Sequence, residues 1–311
     1  MPKIPILKFI AKRLATGILV MLGISLITFI ALSLVPGDPA QVILSYAWTP
    51  EAGAALREKL GLNDPLYIQY ARFLWNAFHG DLGKSYLSNL PVVQEIYRAS
   101  IASLQLTLTA LVISFSISII LGVFSAVKRR SILDNVSRIL TIGLSSVPVF
   151  VLGLILMYVF AVELRILPAT GRGGTEHLIL PATTLAAYSM AGILRMTRAS
   201  MLEVLRQDYI RTARSKGLSE RKIVFKHALR NAMNPIITLM GLYIGVMIGS
   251  AIITEYVFAW PGIGTVTITA IFARDIPMIQ GGVLVIAGVY VVVNLIVDVL
   301  YAYFDPRIRV R

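Results

Sequence analysis

The chain has 311 residues, of which 57% are hydrophobic and only 14% charged, with no cysteine and a formal net charge of +13. Soluble globular chains run about 45–50% apolar and about 25% charged, so the composition exceeds what one soluble core needs and places the chain in a membrane. The lack of cysteine excludes disulfides, thiol nucleophiles and cysteine metal sites, and the basic excess suggests nucleic acid only if the cations cover a soluble surface.

Crossing about 30 Å of hydrocarbon takes roughly 20 helical residues, and six uncharged runs approach or exceed that length. They are Leu14 to Val35, Ala99 to Val127, Ile139 to Val162, Leu178 to Leu194, Ala232 to Thr254, and Ile276 to Val297, the last continuing past Asp298 to Phe304. The first follows "KFIAKR", as a secretory h-region would, and Ala31-Leu32-Ser33 is a possible cleavage site. Its 22 residues exceed the about 7–15 of an h-region, so an uncleaved anchor helix is expected. Pro148 inside the third run removes a backbone hydrogen bond that Ser145, a neighbouring helix or water must replace, which predicts a kink. The fourth run is the shortest, 17 residues with Pro181 near its start, and it spans if Arg195 and Arg198 snorkel to the headgroups.

Between the first two runs, residues 36–98 form a segment too long for a plain connector. Thr49-Pro50-Glu51 reads as an N-cap with proline at the first helical position, and Gly61 as a stop. Pro65 to Phe78 gives a second amphipathic stretch, carrying Leu66, Ile68, Tyr70, Phe73, Leu74 and Trp75. Together they predict a small external cap lying on the membrane surface or on the other spans. "HGDLGKSY" from His79 ends like a phosphate-binding P-loop, G-x-x-x-x-G-K-[ST]. Phe78 stands where that motif needs its first glycine, so Gly80 and Gly83 are read as turn formers.

Cytoplasmic loops carry an excess of Lys and Arg. With the N-terminus inside, 21 of the 29 Lys and Arg fall on cytoplasmic segments and three, Arg165, Arg172 and Arg274, in the short outer loops. The other five lie in the long 36–98 segment, which is exempt from the rule, against six acids. The net charge is thus a topological signal that sets both termini inside, argues against a nucleic-acid partner, and puts "GKS" outside, where ATP is absent.

The main cytoplasmic feature is Arg198 to Pro235. Leu202, Leu205, Tyr209 and Ala213 recur at helical spacing and predict a helix continuing from the fourth span until Gly217 ends it. Ser219 is a natural N-cap for a second helix, whose Ile223, Val224, Ala228 and Leu229 lead into the fifth span. Such a basic element could lie on anionic lipid, bind a soluble partner or be a solvated loop. A tight turn flanked by helical spacing on both sides suits force transmission from a partner. Gly217 is the expected bend, and Ala213 one turn earlier is expected on a face where a small side chain permits close approach. Arg214 and Lys216 are expected to meet acids on the partner.

At Arg211-Thr212-Ala213-Arg214-Ser215-Lys216-Gly217 the chain resembles the E-A-A-x-x-x-G loop of ABC importer permeases. The longer phrase "DYIRTARSKGLSERKIVFKHALRNAMNP" is similar to the dipeptide, oligopeptide and nickel permease branch, in its first-permease subgroup. "LVPGDP", "GDLGKS", "LPATG" at Leu167, "LILPATTLA" at Leu178, "FAWPGIG" at Phe258 and "LYAYFDPRIR" extend the resemblance, in order, over nearly the whole chain. The general motif's first Glu is Arg211 here, and its terminal I-x-L-P reads His227-Ala228-Leu229-Arg230, with the proline displaced to Pro235. The resemblance implies an all-α polytopic fold of six transmembrane helices, the type I importer permease fold. It implies as partners a second, different permease subunit, two cytoplasmic ABC ATPases and an extracytoplasmic substrate-binding protein. No cofactor is expected on this chain, because ATP is bound by the ATPases.

The coupling surface to those ATPases is then expected at Asp208, Tyr209, Arg211, Ala213, Arg214, Lys216, Gly217, Leu218 and Ser219. The corresponding division is residues 1–35 as N-terminus and first span, 36–98 as cap, 99–304 as a five-helix core with coupling segment 203–231, and 305–311 as a basic tail.

Enzyme readings fail on chemistry. His79, His177 and His227 all fall in loops, and of the two buried Asp an intramembrane aspartyl protease needs, only Asp298 lies in a span. An ion-coupled secondary transporter is the alternative, being polytopic too, but it needs intramembrane charges. Only Asp298 near the inner face and Glu255 near the outer are available. Asp298 is a candidate functional charge, or else pairs with Arg307 to Arg311 or with a helix end. The expectation is a permease subunit that performs no covalent chemistry and forms half of a pathway for peptides or related solutes.

Overall fold

The computed structural model describes residues 6–44 and 47–304; the basic tail, with Arg307 to Arg311, lies outside the described residues. In chain order the helices are α1 (Ile6–Leu34), α2 (Pro39–Leu44), α3 (Pro50–Leu60), α4 (Leu66–Phe78), α5 (Val92–Val127), α6 (Ile132–Ser146) and α7 (Val149–Met157), with a π-helical extension Tyr158–Glu163. There follow α8 (Glu176–Val204), α9 (Asp208–Ser215), α10 (Glu220–Lys222), a π-helical stretch Ile223–Ala228, α11 (Leu229–Val257), α12 (Ile263–Ala273) and α13 (Ile276–Phe304). The fold is all-α, as expected; among the described residues the one β-type pairing is an isolated antiparallel bridge between Lys84 and Pro91.

Five stretches are continuous, long and apolar enough to span: Ile10–Leu34, Val92–Val127, Glu176–Val204, Glu220–Val257 and Ile276–Val299. The third run of the sequence is different. Where a kink was expected, α6 and α7 meet at 109°. Pro148 has no N–H and forces its predecessor out of the helical region, so Val147 and Pro148 are both extended, at ψ 127° and 139°. The Ser145 hydroxyl donates to the Thr141 carbonyl at 2.8 Å and so satisfies one acceptor near the break.

The broken pair nevertheless carries the chain across. Ser125 near the end of α5 is bonded to Asp134 at the start of α6, and Gln105 of α5 is bonded to Arg172 beyond α7. Twenty residues of helix separate Gln105 from Ser125, about 30 Å at 1.5 Å per residue, one hydrocarbon thickness. A sixth crossing is therefore made by α6 and α7 together. Between the fifth and sixth runs, where only a connector was expected, lies α12, eleven residues long and too short to span.

The chain divides into two compact units. One comprises residues 104–260 with 296–304, and in it Val123, Ala126, Ile193, Met201, Ile210, Ile223, Val224, Ala228, Ala232 and Ile236 form a buried core. The other comprises residues up to 103 and 261–295, with Val92, Ile96, Ala99, Ile263, Ala270, Met278 and Ile279 at its centre. In that unit the caps read from the sequence are present. Thr49 accepts from Ala52 N–H at 3.1 Å, Pro50 opens α3, and Gly61 closes it in the left-handed region at φ +66°.

Candidate functional site

The segment after α8 is a folded hairpin. The helix expected to run unbroken to Gly217 stops at Val204, turns through Leu205 to Gln207, and restarts as α9. Gln207 is extended, with ψ 150°, and accepts from the N–H groups of Ile210 and Arg211. The break has a packing reason: it turns α9 so that Ile210 is fully buried in the same core as Ile223, Val224 and Ala228 of the returning strand of the hairpin.

The turn itself is a complete left-handed helix stop. Gly217 has φ +74°; its N–H donates to Arg214 O at 2.9 Å, and Leu218 N–H reaches back to Ala213 O at 3.3 Å. That pair of bonds is the Schellman arrangement, in which a contact between the residue just after the left-handed one and the residue four before it completes the cap. Leu218 and Ala213 supply it, both packed against the core cluster. Ala213 is half-buried, with its small side chain packed against the core of the hairpin.

Arg214 is exposed and also paired within the hairpin. Its guanidinium spans the turn to Glu220, Nε to Oε1 at 2.7 Å and Nη2 to Oε2 at 3.3 Å, and this carboxylate raises the arginine pKa further. Ser219 stands at the N-cap position in extended geometry, but its side chain makes no cap bond. Tyr209 is anchored across the hairpin, its hydroxyl accepting from Asn231 Nδ2 at 2.9 Å. Of the residues expected at the coupling surface, Asp208, Tyr209, Arg211, Arg214, Lys216, Gly217 and Ser219 are exposed, with Arg211 and Asp208 3.6 Å apart on one face of α9.

Above the hairpin lies an ion pair that the sequence reading missed. Arg198 of α8, expected to snorkel toward headgroups, instead grips Asp134 of α6 through Nε to Oδ1 at 2.7 Å and Nη2 to Oδ2 at 3.1 Å. Asp134 is 1% exposed and also accepts from Ser125 Oγ at 2.7 Å and from Arg130 N–H at 3.0 Å. Four donors around one carboxylate satisfy a charge that burial would otherwise penalise. The pair fastens α8, from which the hairpin hangs, to the first half of the broken span. Asp298, the other charge singled out from the sequence, is half-buried in α13 and has interactions of its own.

Several of the quoted motifs are brought together in pairs. "LPATG" meets "FAWPGIG" where Gly171 N–H donates to Phe258 O at 2.9 Å and the Arg172 guanidinium sits 5.6 Å from the Trp260 ring centre. "LVPGDP" receives Arg274, whose Nη1 donates to Pro36 O at 3.0 Å beside Gly37 at φ +136°, where a Cβ would collide with the guanidinium. Asp38 accepts from Ala40 N–H and from Arg57 Nε at 2.9 Å, and the arginine holds its carboxyl below the usual range.

"GDLGKS" is a turn, not a phosphate loop. Gly80 and Gly83 have φ +79° and +80°, Lys84 is exposed, and the Ser85 hydroxyl donates to buried Asp275 at 2.5 Å. Burial, with the Asp275 charge second, pushes the neighbouring Tyr86 phenol up to about 12. A cavity of about 460 Å³ lies in this unit, walled by Phe29, Leu32 and Val35 on one side and Gln69, Arg72 and Asn76 on another.

The model of the binding-protein-dependent transport system inner membrane component family matches residues 118–310, and that of its N-terminal companion matches residues 6–118. The dipeptide transport system permease protein DppB of Alkalihalophilus pseudofirmus is 41% identical, over 97% of this chain and 99% of that protein. DppB of Escherichia coli K12 is 39% identical over the same shares. The glutathione transport system permease protein GsiC of Escherichia coli K12 is 41% identical over 98% of this chain and all of that protein. A solved amino acid ABC transporter determined with histidines superposes with a TM-score of 0.50 at 20% identity, over 69% of this chain and 94% of that one, a likeness of fold.

Proposed function

The chain belongs to the binding-protein-dependent transport system inner membrane components and is a multi-pass permease subunit of an ABC transporter, and from that premise we propose that it forms half of an import pathway for short peptides. The relatives named for dipeptides and glutathione support the cargo class. The other half is a second, different permease chain, with an extracytoplasmic binding protein delivering cargo and two cytoplasmic ATPases supplying energy. This subunit itself does no covalent chemistry. Both termini are cytoplasmic, on the positive-inside balance of 21 Lys and Arg against three.

The hairpin of residues 208–219 is the coupling element. The observation that carries this reading is its rigidity: Ile210 and Ile223 are fully buried on either side of the Gly217 turn, and the Arg214–Glu220 pair bridges it. An element pushed by an ATPase moves as a body only if it is tied to the helices it must move. Here the ties are the shared core and, one turn and more above, Arg198 on Asp134.

Single cysteines test orientation and contact together. In intact cells expressing the whole transporter, Ser88→Cys should react with an impermeant maleimide and Ser219→Cys should not. In inside-out vesicles a short bifunctional reagent should join Ser219→Cys to an ATPase subunit. Labelling of Ser219→Cys from outside reverses the topology, and a correctly oriented Ser219→Cys that never joins an ATPase removes the coupling assignment.

A further inference from the structure

The sequence leaves open where the external segment lies, on the membrane surface or on other spans. We propose that α4 is inserted in the outer leaflet beside α1, with Tyr67, Trp75 and Phe78 facing lipid acyl chains. This rests on the orientation proposed above but is independent of cargo and of ATPase coupling.

Depth is the first observation. The Tyr70 hydroxyl lies 2.9 Å from Ser25 Oγ and donates to Leu22 O at 3.2 Å, and the Tyr70 ring packs 5.3 Å from that of Phe29. Ser25 is ten residues inside the outer end of the uncharged run that finishes at Val35, about 15 Å along the helix at 1.5 Å per residue. An ordinary surface helix would meet α1 near Leu34. This one is bonded to the middle of the α1 hydrocarbon run, so its body lies within the outer leaflet.

The second observation is how α4 divides its faces. At 100° per residue, Tyr70, Phe73, Leu74 and Ala77 fall in one sector, turned to α1. Gln69, Arg72 and Asn76 fall in another and line the cavity, with Arg72 paired to Asp64 and Gln69 donating to the carbonyls of Leu62 and Asp64. The third sector holds Tyr67, Ile68, Ala71, Trp75 and Phe78, without a charge. It is uncovered: Phe78 is 89% exposed, Tyr67 74% and Trp75 68%. Arg72 and Asn76 of the polar sector are exposed as well. A helix that leaves an uncharged aromatic sector uncovered beside a polar one has the pattern of an amphipathic helix lying in a lipid interface.

Depth selects lipid over a protein partner. The uncovered sector belongs to a helix bonded to the middle of the α1 hydrocarbon run, and on α1 itself Ile27, Ile30 and Leu34 are exposed and uncharged, as a lipid-facing span requires. Tyr and Trp belong at the level where acyl chains meet headgroups, and Trp75 stacks on His79, which begins the polar turn leading out of the helix.

Spin labels on single cysteines decide the matter, in the assembled transporter in nanodiscs with partner cysteines removed. Labels at Trp75→Cys and Tyr67→Cys should collide with oxygen and resist a water-soluble nickel chelate, as a label at Ile27→Cys should, whereas Ser88→Cys should behave oppositely. Chelate accessibility at both α4 positions puts the face in water and ends the proposal. Inaccessibility to both reagents means that protein covers the face, which ends it equally. Two sites, each checked for normal uptake, keep the result independent of one poorly tolerated substitution.

Discussion

Replacement of Gly217 isolates the backbone geometry of the coupling turn from side-chain contact. Its φ is +74°, and a Cβ built there meets nothing within 4 Å, so the cost of a side chain is conformational and not steric. A left-handed residue other than glycine costs about 1–2 kcal/mol, with Asn close to exempt and β-branched residues at the upper end. At that cost the population holding the native turn falls about 5–30-fold relative to alternatives, and those alternatives lose the Leu218-to-Ala213 bond that sets the angle of the returning helix. Uptake and co-purification of the ATPase subunits should therefore rank Gly ≈ Asn, then Ala, then Val, with membrane insertion equal in all four. Because the core side chains Ile210 and Ile223 are untouched, the expected loss is of coupling and not of folding. Full uptake by Gly217→Val, or a Gly217→Asn as impaired as Gly217→Val, would show that the left-handed turn is not what the coupling depends on.

Arg198→Ala should be far more harmful to stability than an ordinary arginine deletion, since it strands a carboxylate that is 1% exposed, and breaking buried pairs in this way costs about 3–5 kcal/mol; thermal unfolding in detergent measures it, and the double replacement Asp134→Leu/Arg198→Met should recover most of the loss. Ser85→Ala should lower thermal stability by about 1–3 kcal/mol, because buried Asp275 loses its shortest donor and keeps the longer bonds from Leu87 and Met278 N–H, while Lys84→Ala should change neither stability nor ATP hydrolysis by the complex. Asp38 has a folded pKa below its unfolded value of about 3.9, so its stabilising contribution is present above that value and is lost as pH falls through the lower folded one. Hydrogen exchange in α3, corrected for intrinsic rates, should accelerate on acidification below about pH 4, and Asp38→Asn should flatten that dependence.

Much of this protein was legible in its sequence because the governing rules are local. Uncharged runs of hydrocarbon length fix where the chain crosses, and the Thr49-Pro50 cap and the Gly61 and Gly217 stops follow from φ preference and orphan backbone groups within one helical turn. Pro148 announced a disturbance, but not its size, because whether a proline kinks a helix or breaks it depends on what surrounds it. The tertiary structure decided everything that required knowing which helices become neighbours. Asp134 and Arg198 are 64 residues apart, and Ser85 and Asp275 are 190 apart; no spacing rule joins them. The same is true of the contacts inside the hairpin: burial of Ile210 sets which face of α9 packs, which brings half-buried Ala213 against the core and leaves Arg214 beside Glu220 across the turn. Hydrophobicity states that a side chain must be covered, and only the packed structure states by what.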